Sequence, residues 1–189
     1  MRPILILQFI FCMTFWSCNS TTESEVKALE GSGLLKKITG KKFFTYDAID
    51  YYTNDFAESK IGDLYDNHSK SELDSFRVGI ILGDIPQNIS DLDFIKKLPQ
   101  VGYKKTLIDQ SKFESIDSIF VEKTTTEHWS TDCIYVYRDI LVFKKDHKIV
   151  GTAKICFDCM AHQIKGTTAN IENFGQEGDY ERLEKLLRK

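Results

Sequence analysis

Two runs rich in β-branched and aromatic residues, 133–143 and 148–157, flank the short polar segment Lys144-Lys145-Asp146-His147. Runs of this kind separated by a few turn-forming residues predict an antiparallel hairpin, which commits the chain to building a sheet. In the second run Ile149, Gly151, Ala153, Ile155 and Phe157 alternate with Lys148, Val150, Thr152, Lys154 and Cys156. Successive strand residues face opposite ways, so the first set should face a core and the second, with Lys148 and Lys154, should face water. With Asp146 and His147 at the turn centre, Cys133 falls opposite Met160, and a slip of one residue makes its partner Cys159.

The rest of the chain mixes strand and helix patterns without a repeated βαβ period. Residues 43–52 are aromatic-rich and open a core as a strand or short helix, and 63–71 reads as a surface loop. Residues 76–82 read as a buried strand, ended by Gly83-Asp84-Ile85-Pro86. Ser90 is a fair N-cap for a helix with Asp91 and Asp93 in its first turn; Leu92, Ile95 and Leu98 share a face and Pro99 stops it. Residues 102–108 look like a strand, and 111–120 like a helix with Phe113, Ile116 and Phe120 on one side. A last helix opens at Asp179, with Leu183, Leu186 and Leu187 as its buried stripe. The expectation is an α+β fold: a small mixed sheet including the hairpin at about 133–157, a few packing helices and a C-terminal helix. A hydrophobic share of 42% and an aromatic share of 12% fit one globular domain over 34–189. A formal net charge of −3, with lysine pairs scattered along the chain, argues against nucleic acid as a partner.

The first residues obey a different logic. Arg2 precedes an apolar run, 4–16, broken only by Gln8 and Thr14, which has the length of a signal-peptide core and is too short to span a bilayer. The run ends at Phe15-Trp16-Ser17-Cys18, which resembles the lipobox of bacterial lipoproteins, with Phe15 where leucine is usual. The resemblance implies a signal peptide over 1–17, cleavage before Cys18, and diacylglycerol on the Cys18 sulfur. Several acyl chains would anchor the protein stably to a membrane. Residues 18–33, small, polar and acidic and closing at Gly31-Ser32-Gly33, read as a flexible tether. Asn19 is not the aspartate associated with inner-membrane retention, so the expected address is the bacterial cell envelope, at the outer membrane.

A second resemblance lies further along. Tyr135-Val136-Tyr137-Arg138-Asp139-Ile140-Leu141-Val142-Phe143 and Ala153-Lys154-Ile155-Cys156-Phe157-Asp158-Cys159 resemble a group of bacteroidete, especially flavobacterial, lipoproteins, as do Asn173-Phe174-Gly175-Gln176 and Gly178-Asp179-Tyr180. No activity is assigned to that group, so the resemblance implies the envelope address and no chemistry.

Of the chain's five cysteines, Cys12 would leave with the signal peptide and Cys18 would carry lipid. Cys133, Cys156 and Cys159 remain, and three readings compete. Outside the cytoplasm two of them can form a structural disulfide, Cys133 with Cys159 on the hairpin arithmetic, leaving Cys156 the more exposed. Alternatively Cys133, Cys156, Cys159 and His162 make a Cys3His zinc set. The third reading is thiol redox chemistry at the C-x-x-C, weakened by the absence of a helix pattern after it. Met160 stands where haem attachment would require histidine. No G-x-S-x-G, H-E-x-x-H, P-loop or G-x-G-x-x-G is present. His68 and His147 fall in turns, and His128 beside Trp129 in a polar loop. Arg138-Asp139 inside a strand sends one charge inward, where an ion pair should meet it. The expectation is a monomeric, lipid-anchored, non-enzymatic binding or accessory module without a cofactor. The alternative is a thiol-redox or zinc protein built on Cys133, Cys156 and Cys159.

Overall fold

A computed structural model of the chain describes residues 40–91, 93–124 and 132–188. The expected signal peptide, Cys18, the tether 18–33 and His128 lie outside the described residues. No helix among the described residues is long and apolar enough to cross a membrane.

Five strands form one sheet: β1 (Ala48–Thr53), β2 (Lys104–Leu107), β3 (Asp139–Lys145), β4 (Lys148–Cys156) and β5 (Ala161–Lys165), in the order β2-β1-β3-β4-β5. Every pairing is antiparallel, so the sheet within this α+β fold is antiparallel throughout rather than mixed. Among the described residues five α-helices accompany it: α1 (Glu58–Asp66), α2 (Glu72–Ile81), α3 (Asp93–Lys97), α4 (Phe113–Ile119) and α5 (Asp179–Arg188).

Both faces of the sheet are covered. Ile49, Tyr51, Leu141, Phe143, Ala153 and Ile155 pack with Phe44, Ile116, Phe120, Leu183 and Leu187, on the side of α4 and α5. Tyr52, Ile140 and Val142 pack with Ile61, Phe76, Ile80 and Phe94, on the side of α1, α2 and α3. That double cover explains why Ile140, Leu141, Val142 and Phe143 are all fully buried, an unbroken apolar run rather than an alternating one.

The hairpin turns where expected. Asp146 and His147 both have positive φ, the pair of left-handed residues a two-residue hairpin turn requires. Lys145 pairs with Lys148 and Lys144 with Ile149, but a bulge then matches Phe143 with Gly151. The extra residue, Val150, reverses the facing of what precedes it. Ile149, expected beside Ala153 and Ile155, therefore packs against the α2 side, while Val150 packs on the α5 side. Gly151 fits its place because a Cβ there would lie 2.1 Å from the Phe44 ring. Regular pairing in β3 begins only at Asp139, not near 133, because the preceding backbone is engaged elsewhere: Tyr137 N–H donates to Ile81 O at 2.9 Å.

Three expectations about elements are corrected. Residues 63–66, expected within a surface loop, form the last part of helix α1. Residues 76–82, expected as a strand, lie mostly in helix α2. Ser71 caps it by accepting from the Asp74 N–H at 3.1 Å, Glu72 and Asp74 favour its positive end, and Phe76 and Ile80 share one face. A short apolar run fits either period, and the cap upstream decides it. The helix expected from Ser90 begins only at Asp93, with Phe94 its buried residue and Leu98, just past its end, buried as well. Strand β2, helix α4 and helix α5 fall within the expected stretches.

Candidate functional site

Register builds a cleft at one end of the sheet. Thr53, the last residue of β1, pairs with Lys104 of β2 on one side and Asp139 of β3 on the other. Directly opposed residues in antiparallel strands share a face, so Lys104, Thr53 and Asp139 form a row across one end of the sheet, with Tyr51 one step inward. The C-terminal end of α5 brings Leu187 and Arg188 over the row, and Asn54, Asp55 and Arg138 complete a cleft of about 420 Å³.

Its floor is electrostatically organised. Asp139, 3% exposed, accepts from the Tyr51 hydroxyl at 2.5 Å and from Arg188 at 3.3 Å. Burial pushes the Asp139 carboxyl above its ordinary range, opposed by those two donors, and burial next to that carboxylate pushes the Tyr51 phenol up as well. Tyr51 therefore stays a donor. Arg138 points the other way, donating to Phe56 O at 3.1 Å and to Asp158 at 2.8 Å. The strand pair Arg138-Asp139 thus splits as expected, the aspartate inward, and each member finds an ion pair. Asn54 anchors the rim by donating to Val101 O at 3.1 Å and accepting from the Phe56 N–H at 2.7 Å. Lys104 has no ion-pair partner among the described residues, and the Arg188 side chain is 53% exposed. Sequence reasoning singled out Asp139 but missed Tyr51, Lys104 and Arg188. Lys104 and Lys105 read as an ordinary solvated pair, and only the register between distant strands puts the first of them into the row.

The cysteines come together at this same end of β3, beyond the Asp139–Ile155 pair. Cys133 and Cys159 are joined by a disulfide, with Cα atoms 5.9 Å apart, inside the usual range of about 4.4–6.8 Å. Cys133 is exposed and Cys159 buried; Cys156, expected as the more exposed thiol, is 2% exposed and packs with Tyr137 and Cys159. Its side of β4 is the one covered by α2, which buries Lys154 too. Lys154, expected in water, is 1% exposed; its ammonium donates to Gly83 O at 2.5 Å and Ile85 O at 3.0 Å and lies 4.6 Å from the Tyr137 ring centroid. Burial lowers its pKa to about 7.

His162 does not join the thiols. Its Nδ1 lies 2.8 Å from the Tyr180 hydroxyl, its ring packs on Phe174, and burial lowers its pKa to about 4. A small pocket of about 130 Å³ borders this pair, with Gln176 and Met160 at its edge. The two sulfurs that a Cys3His site would need as thiolates, Cys133 and Cys159, are spent in the disulfide. Among the described residues no group of three or more His, Cys, Asp or Glu side chains is arranged to hold a metal. His68 and His147 are exposed.

Comparison with protein-family models, with curated proteins and with solved structures returned no match to this chain.

Proposed function

We propose that this protein is a lipid-anchored module of the bacterial cell envelope that binds a small anionic molecule, without chemical turnover, in the cleft between the ends of β1, β2, β3 and α5. The lipobox-like Phe15-Trp16-Ser17-Cys18 supports the anchor. The row Lys104–Thr53–Asp139 beneath Arg188 carries the binding reading. Three cations, Lys104, Arg138 and Arg188, line a concave site whose buried carboxylate is already held by Tyr51 and Arg188. Asp55 adds a second carboxylate to the lining, so three cations face two carboxylates and the net charge of the cleft is positive. The Thr53 hydroxyl and the unpaired Lys104 ammonium are free to take a carboxylate or phosphate oxygen, and preorganised groups on strand ends bind with little ordering cost. The floor residues are engaged in holding one another, which suits binding more than proton transfer.

The test is a calorimetric titration of the full chain in detergent with two probes, inorganic phosphate and citrate. Saturable binding of at least one is expected, weakened tenfold or more in Lys104→Glu with thermal stability unchanged. Absence of binding for both probes at about 10 mM, or binding indifferent to Lys104→Glu, overturns the reading.

A further inference from the structure

We propose that Cys133 is a thiol-modification site that the protein itself uncovers, by moving its disulfide from Cys133–Cys159 to Cys156–Cys159. The inference is independent of the cleft and rests on how three cysteines are placed. Cys156 ends β4 and pairs with Ala161 of β5. Between them the chain makes a tight turn, closed by the Met160 N–H donating to Phe157 O at 3.3 Å, with Met160 in the left-handed region. Cys159 lies inside this turn, and its side chain and that of Cys156 pack into one buried cluster with Tyr137. A free thiol thus sits against the buried half of a disulfide whose other half, Cys133, is exposed between exposed Ile134 and Asp132.

Proximity of a thiol to a disulfide sulfur is the first condition of thiol–disulfide exchange. The Cys156 thiol loses its proton to solvent, and its sulfur attacks Cys159 Sγ. The Cys156–Cys159 bond forms as the Cys133–Cys159 bond breaks, and Cys133 leaves as a thiolate. No oxidant is consumed, since one disulfide replaces another. The direction of attack follows from burial: Cys159 is the sulfur Cys156 packs beside, and Cys133 is the leaving group that water can stabilise. The released Cys133 thiolate is then a nucleophile for a disulfide brought by a second molecule. It attacks one sulfur of that disulfide, forms a mixed disulfide, and releases the other sulfur as a thiolate. The site therefore takes disulfide-bearing compounds, and the chain becomes covalently tagged at Cys133 with its internal disulfide retained in the new pairing.

The experiment uses the full chain, purified in detergent without reductant, and oxidised glutathione as the probe. After acid quenching and alkylation of remaining thiols, tryptic peptides are mapped by mass. Cys133 lies on one peptide, and Cys156 and Cys159 share another, because no Lys or Arg separates them. The expected map shows glutathione on the Cys133 peptide and an internal disulfide in the Cys156–Cys159 peptide. Both should rise together with time of exposure to the probe, since one exchange produces them in sequence. In Cys156→Ala both products should vanish and the Cys133–Cys159 cross-link should persist. Should Cys156→Ala fail to fold, the wild-type map still decides, because the internal disulfide reports the exchange directly. Glutathione on Cys156 with the native cross-link intact overturns the proposal. So does a Cys133 adduct in which Cys156 and Cys159 are both alkylated, which marks direct attack from outside, and so does a native cross-link that the probe leaves unchanged.

Discussion

An ammonium group in an apolar interior is tolerable only if its N–H groups find acceptors, and Lys154 finds two in the carbonyls of Gly83 and Ile85, just beyond the end of α2. A helix C-terminus favours a cation, and the Tyr137 face adds to it, yet burial still holds the pKa near 7. In the unfolded chain the value returns to the ordinary 10.5. Between those two values the unfolded chain binds more protons, so stability rises with pH across that window, by about 3–5 kcal/mol in all. Lys154→Met, similar in length and without charge, should fold and should lose this rise, which urea titrations at about pH 7 and pH 10 will show. An unaltered alkaline profile in the variant would mean the ammonium is not buried as described. His162 acts on the acid side. Its folded pKa of about 4 lies below the ordinary 6.5, so the unfolded chain again binds more protons between them and stability falls as pH drops through that window. His162→Gln, which can keep a hydrogen bond to Tyr180, should flatten that arm; an identical acid profile would count against a neutral, buried imidazole.

At the level of elements, the β3–β4 hairpin owes its position to aromatic packing on one face. Phe143 is fully buried, with the Phe44, Phe120 and Tyr46 rings at centroid distances of 4.5, 5.0 and 5.1 Å. Phe143→Ala should cost about 3–5 kcal/mol, as truncation of a buried aromatic does. Phe157, which the alternating pattern assigns to the same core, is only partly buried and packs at its margin beneath the Arg188 guanidinium. Phe157→Ala should therefore cost distinctly less, about 1–2 kcal/mol by the apolar area concerned. Chemical denaturation of the two variants ranks them directly, and equal losses would place Phe157 deeper than it is. Helix α5 is fastened at its start by Asp179, which is fully buried and pairs with Lys123 and Arg182. Removal of that carboxylate strands the Lys123 ammonium, whose pKa burial already lowers. Asp179→Ala should then cost about 3–5 kcal/mol, as breaking one side of a buried pair does. A loss below about 1 kcal/mol in the same denaturation assay would show that water reaches Lys123.

For the whole molecule the question is address and connection. Cys18→Ala should abolish lipid attachment and leave the precursor unprocessed, which intact mass and membrane fractionation will report; a wild-type chain without a lipid adduct in the soluble fraction would end the anchoring proposal. The disulfide closes a loop with a sequence separation of 26. Cys133→Ser should lower stability by about 2–4 kcal/mol, chiefly by releasing the unfolded chain from that constraint. Unchanged unfolding transitions on substitution or reduction would show that the bond carries no structural role.

Local signals in the chain determined the turn at Asp146-His147, the strand character on both sides of it, and the α5 helix with its leucine stripe. Each depends on residues close in sequence or joined by one hairpin, where turn chemistry and side-chain period act directly. Tertiary structure alone decided what faces what. Lys154 and Cys156 stand where a half-exposed sheet would be wet, and helix α2, itself misread as a strand, covers that side. The bulge at Val150 shifts Ile149 to the opposite face, a change of one residue that alternation cannot reveal. The cleft needs Lys104, Thr53, Asp139 and Arg188, four positions from four elements. Their meeting depends on sheet order and long-range register, and these follow from which apolar faces bury each other rather than from any local pattern.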